Sequence, residues 1–97
     1  MIHSFKNKGT EDIFNGKLTK EARQICPSNI WKLAARKLDM LDSAVIINDL
    51  RSPPGNHLEK LKGDRSRQYS IRINDQYRIC FIWLDDPEEV EITNYHN

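Results

Sequence analysis

In Tyr69-Ser70-Ile71-Arg72-Ile73-Asn74-Asp75-Gln76-Tyr77-Arg78-Ile79-Cys80-Phe81-Ile82-Trp83-Leu84, two different strand patterns meet at a turn. Residues 68–74 alternate, with Tyr69, Ile71 and Ile73 on one face and Ser70, Arg72 and Asn74 on the other, the pattern of a strand with one face covered. Asp75-Gln76 makes a tight connection. Residues 77–84 are nearly all apolar, as expected of a central strand buried on both faces. Downstream, Asp85-Asp86-Pro87-Glu88 reads as a turn, and residues 89–95 alternate again through Val90 and Ile92. Upstream, residues 57–62 alternate weakly before a Gly63-Asp64 turn. The second half of the chain is therefore a run of consecutive antiparallel strands.

The first half follows a different period. Ile30, Ala34, Leu38 and Leu41 recur at helical spacing within residues 29–44, with Lys32, Arg36, Asp39 and Ser43 on the opposite side. Pro27-Ser28 marks the start of this amphipathic helix, with Ser28 or Asn29 as its cap. A shorter helix is expected from Thr10, the N-cap ahead of Glu11 and Asp12, to a stop at Asn15-Gly16. Residues 2–5 read as a short strand. Residues 45–51 fit either a further helical turn or extended chain, and Ser52-Pro53-Pro54-Gly55-Asn56 forces a loop. The predicted fold is α+β in the order β-α-α-β-β-β-β: a small, antiparallel-rich, twisted sheet with two N-terminal helices packed on one face. It forms a single domain over residues 1–97, since 97 residues are too few for two hydrophobic cores.

Composition narrows the function. Fifteen Lys and Arg against fourteen Asp and Glu give a net charge of +1, which argues against a strongly basic nucleic-acid binder. The charge is uneven, however. Residues 85–97 hold five carboxylates and no Lys or Arg, so they carry −5 and the remaining 84 residues carry +6. No uncharged stretch approaches membrane-span length, and residues 1–6 lack the pattern of a signal peptide, so a cytoplasmic protein with no membrane partner is expected. Cys26 and Cys80 stand in apolar settings and read as buried free thiols. Glycine-rich phosphate loops, GxSxG nucleophiles and metal-ligand spacings are absent from the sequence, and no cofactor is expected.

The uncovered face of the sheet is the place to look for chemistry. Lys60, Lys62, Arg65, Arg67, Arg72 and Arg78 put six basic groups in nineteen residues. Any one of them alone reads as a solvated strand charge; together they suit an RNA or phosphate ligand. Arg78 differs because it opens the most apolar segment, which would hold its guanidinium in place for clamping a phosphate. A strand through residue 95 would anchor Tyr95 and His96 beside it, whereas a His on a loose terminus would be inert. His57 and Glu59, after the Pro-Pro-Gly loop, are candidates for a general base, and Glu59 could equally be a surface partner for a nearby cation.

These residues resemble the HigB toxins, a branch of the RelE-like superfamily of bacterial toxin–antitoxin modules, also called plasmid-maintenance killer proteins. The resemblance rests on residues 1–6 (Met-Ile-His-Ser-Phe-Lys), Arg51-Ser52-Pro53-Pro54-Gly55-Asn56, Leu61-Lys62-Gly63-Asp64-Arg65, residues 69–81 and the closing Asn94-Tyr95-His96. It implies a metal-independent endoribonuclease, an mRNA interferase that enters the ribosome and cuts mRNA. It also implies a HigA-type helix-turn-helix antitoxin that neutralises it, with operator DNA contacted only through that antitoxin. By this resemblance Arg78 and Lys62 match the basic phosphate contacts, and Tyr95 and His96 match a C-terminal pair that orients substrate and handles a proton. Better-studied members carry a His three residues before the motif's Lys; that position is Glu59 here, which leaves the base role between His57 and Glu59. The rival reading is a non-catalytic RNA-binding or co-repressor module acting only through its antitoxin complex.

Overall fold

The computed structural model describes residues 1–94 and contains, in order, helices α1 (Lys8–Phe14), α2 (Lys20–Ile25) and α3 (Trp31–Ser43), then strands β1 (Glu59–Lys60), β2 (Tyr69–Arg72), β3 (Arg78–Leu84) and β4 (Asp86–Thr93). The strands form one sheet in the order β1-β2-β3-β4, with every neighbouring pair antiparallel. The α+β class and the run of late strands match the sequence reading, and the element order differs from it at the N-terminus.

Residues 2–5 do not form a regular strand. They run extended beside β4, joined by a single parallel bridge between Phe5 and Val90. His3 N–H donates to the Pro87 carbonyl at 2.8 Å, Val90 N–H to the Ser4 carbonyl at 3.1 Å and Lys6 N–H to the Val90 carbonyl at 2.9 Å. Regular pairing fails because β4 is bulged there: the register with β3 shifts between Cys80 and Ile82, and Glu89 has a φ of 50°. The Ser4 hydroxyl accepts the Glu89 N–H at 2.9 Å, in place of a ladder bond.

Helix α1 starts earlier than expected. Asn7 is its cap, its side chain accepting the Thr10 N–H at 2.9 Å. Thr10 is instead fully buried, and its hydroxyl accepts the Ile92 N–H at 3.1 Å, tying the helix to β4. Helix α2 is an addition to the sequence reading. Its six residues are too few to display a period, though the Thr19 hydroxyl caps it through the Ala22 N–H at 3.1 Å. The two short helices touch at Gly9, where a β-carbon would lie 2.2 Å from Ile25 Cγ1 and 2.5 Å from the Glu21 carbonyl oxygen. Helix α3 begins at Trp31 after a 3-10 turn over Ser28–Ile30, without a side-chain cap. Residues Ile47–Arg51 and Pro54–Asn56 form further 3-10 turns.

Ala34, Leu38 and Leu41 on α3 meet Ile71, Ile73, Ile79, Phe81, Val90 and Ile92 from the sheet in one core. Cys26 and Cys80 are buried free thiols, each pushed up to about 11 by burial. The acidic turn is tighter than expected. Leu84 already pairs with Asp86 and Trp83 with the fully buried Pro87, leaving Asp85, at a φ of 69°, to make the reversal.

Candidate active site

The ladder register places a polar row on the sheet face away from the helical core. Glu59 pairs with Ser70, Ser70 with Cys80 and Cys80 with Glu91; in the next row Arg72 pairs with Arg78 and Arg78 with Thr93. Directly paired residues share a face, so these side chains lie together while their neighbours Ile71, Ile79 and Ile92 enter the core.

Arg78 is the least exposed arginine of this face. Its side chain is only 15% exposed. Nε donates to Ser70 Oγ at 2.8 Å, and Nη2 donates to the His57 carbonyl oxygen at 2.8 Å. Glu59 Oε1 lies 3.6 Å from the same Nη2. The His57 carbonyl reaches Arg78 because His57 is left-handed, with a φ of 45°, at the end of the Pro54–Asn56 turn. That turn is fastened from inside. The buried Asn56 amide donates to the Leu50 and Ser52 carbonyls at 3.2 and 3.4 Å, and its Oδ1 accepts from Lys37 Nζ on α3 at 2.6 Å. A hydrogen-bonded path thus runs from the long helix through Asn56 and the loop to the guanidinium.

The other expected basic residues separate. Arg72 stands beside Arg78 and forms an ion pair with Asp75. Arg65 lies near the same face but is engaged: its Nη1 donates to Glu91 Oε1 and to Gln68 Oε1, each at 2.9 Å, with Lys6 Nζ 3.7 Å from the same Glu91 oxygen. Lys62 and Arg67 are exposed on the β1–β2 connection and make no ion pair among the described residues. Lys60 faces the other way. It pairs with Tyr69, whose ring stacks on Phe81 at 6.2 Å, and its Nζ sits 4.6 Å above that ring. The weak alternation of residues 57–62 could not assign its face; the register does. Tyr95 and His96 lie outside the described residues.

A guanidinium held at two points beside a carboxylate is suited to binding and polarising a phosphate. The family model described as the RelE-like toxin of the type II toxin–antitoxin system HigB matches residues 3–96. The chain belongs to the HigB-like toxins. Among relatives of this HigB-like chain, the toxin HigB-1 of Vibrio cholerae serotype O1 is 40% identical over 85 residues, covering 88% of this chain and 86% of its own. An uncharacterized protein of Haemophilus influenzae is 53% identical over 64 residues, or 66% of this chain, and the match spans 61% of that relative's length.

Three residues of the candidate site escaped the sequence reading: Ser70, Asn56 and Glu91. Ser70 had a signal, being the one small hydroxyl in an otherwise aromatic, β-branched and arginine strand. Asn56 looked like an ordinary turn residue and Glu91 like part of an acidic surface, because their partners Lys37 and Arg65 are distant in sequence.

Proposed function

We propose that this HigB-like toxin is an mRNA endonuclease that cuts its substrate on the ribosome in the cytosol and is neutralised by a HigA-type helix-turn-helix antitoxin. The observation that carries the reading is the Arg78 guanidinium, held by the Ser70 hydroxyl and the His57 carbonyl beside Glu59. RNA cleavage without an added cofactor requires an activated 2′-OH, stabilisation of the charge that develops on the phosphate, and protonation of the leaving 5′-oxygen. Arg78 supplies the second. Glu59, 3.6 Å from the Arg78 Nη2, stands where a carboxylate reaches the 2′-OH next to a phosphate bound by that guanidinium, which favours it over His57 as the base. Lys62 and Arg72 extend the positive surface for neighbouring phosphates, and Tyr95 with His96 completes the proton transfer by analogy with the family. Operator DNA is reached only through the antitoxin.

A Glu where better-studied members carry a His also favours a second reading, a non-catalytic co-repressor. One experiment separates them: incubation of mRNA with the purified protein, with and without programmed ribosomes, followed by mapping of 5′ ends. Codon-phased new ends that appear only with ribosomes support the nuclease. Intact mRNA from a protein that still binds its antitoxin supports the co-repressor.

A further inference from the structure

Ser70 is wholly buried in β2, yet its hydroxyl is aimed at a charged side chain. A guanidinium presents two usable edges, one formed by Nε and Nη2 and the other by Nη1 and Nη2. At Arg78 the first edge is taken, Nε by Ser70 Oγ at 2.8 Å and Nη2 by the His57 carbonyl at 2.8 Å. Nη1 makes no hydrogen bond among the described residues. We propose that Ser70 is the positioning residue of the site: it blocks rotation of the Arg78 guanidinium and so presents the Nη1 edge to a phosphate oxygen.

The choice of residue type fits this task. Both acceptors on the first edge, a hydroxyl and a main-chain carbonyl, are neutral, so they orient the cation without cancelling its charge. A carboxylate in place of Ser70 would hold the side chain equally well and compete with the ligand. The opposite residue on β3 is Cys80, also fully buried and small, so β3 offers no strong acceptor beneath the guanidinium, and the Glu59 carboxylate lies 3.6 Å from Nη2 rather than at Nε.

The inference rests on the nuclease reading for its effect on rate, while its structural part is measurable without activity. In protein labelled with ¹⁵N-arginine, the Arg78 Nε–H resonance, assigned by its disappearance in Arg78→Lys, should exchange slowly with water. Ser70→Ala and the nearly isosteric Ser70→Cys should each speed that exchange at least about tenfold, since sulfur is a weak acceptor. In ribosome-programmed cleavage both variants should lose about 10- to 100-fold in kcat per folded molecule with KM changed less than about twofold. A role in packing alone would lower the melting temperature and leave exchange and kcat per folded molecule unchanged. Slow Arg78 Nε–H exchange in Ser70→Cys overturns the positioning role whatever the activity. If the wild type does not cleave, or Arg78→Ala cleaves like wild type, the nuclease reading falls instead, and the exchange result still decides the role of Ser70.

Discussion

Arg65 and Glu91, twenty-six positions apart, meet at 2.9 Å across the sheet face that carries Arg78, with the Glu91 side chain only 13% exposed. The pairing gives Arg65 a structural partner within the fold. It fastens the 3-10 turn Gly63–Arg65 to β4 and covers the Cys80 side of the sheet, where Arg65 acts electrostatically on the Cys80 thiol. Removing one partner of a partly buried ion pair leaves the other short of a counter-charge. Glu91→Ala should therefore destabilise the fold by about 1–3 kcal/mol in urea titration. Arg65→Ala should cost cleavage less than about fivefold, against about 100-fold or more for Arg78→Ala. Equal losses for the two arginines in a cleavage assay would place Arg65 on the RNA.

The buried hydroxyl of Thr10 accepts the Ile92 N–H at 3.1 Å and links α1 to β4. Thr10→Val preserves shape and leaves that N–H without its acceptor, at a cost of about 1–3 kcal/mol. Thr10→Ser keeps the hydroxyl and should be the milder of the two. Chemical denaturation of both variants checks the ranking, and a Val variant as stable as wild type would remove the hydrogen bond from the account.

Asp12 is buried against Lys8 Nζ at 2.7 Å and Thr19 Oγ1 at 2.6 Å. The Lys8 bond first, and the Thr19 bond second, hold its carboxyl below the ordinary 3.8. A carboxyl depressed in the fold contributes stability that is present above its ordinary pKa and lost as pH falls through the folded value. Lys8, raised above 10.5 chiefly by the same bond, contributes stability present below 10.5 and lost as pH rises through its folded value. Melting temperatures should converge for wild type and Asp12→Asn as pH falls from about 5 to about 2. A constant gap across that range would contradict the assignment.

The acidic turn is remote from the candidate site. Arg78 opens the seven-residue β3 and Leu84 closes it, which separates Asp85 and Asp86 from the Arg78 backbone by roughly 20 Å, and Glu88, opposite Ile82, by about 13 Å, at ~3.3 Å per residue. Asp86 pairs with the exposed N-terminal ammonium at 3.2 Å, and the half-buried Glu88 pairs with the exposed His3 at 3.3 Å. Charges beyond about 10 Å are largely screened at physiological salt, so replacing Asp85, Asp86 and Glu88 with Ser should leave cleavage within about twofold. A larger loss in the programmed-ribosome assay would mean that the acidic strand end touches the ribosome.

The class and the long elements are legible in the order of residues alone. Period-two alternation around Ser70 and an apolar run after Arg78 admit only strands, and the Ile30–Leu41 spacing admits only a helix, because side-chain direction follows backbone period. That order also singles out Arg78, since a guanidinium at the head of an apolar strand must be held by something. Short elements escaped: six residues of α2 cannot express a period, and an extended N-terminus beside a bulged strand looks like a strand in local pattern. Which cations share a face, and which are already paired, emerges only once the chain has folded. Register sends Lys60 toward Tyr69, and chain closure brings Glu91 to Arg65 and the His57 carbonyl to Arg78. Such contacts join residues up to tens of positions apart, and local sequence carries no record of them because they are set by how strands align rather than by what each strand contains.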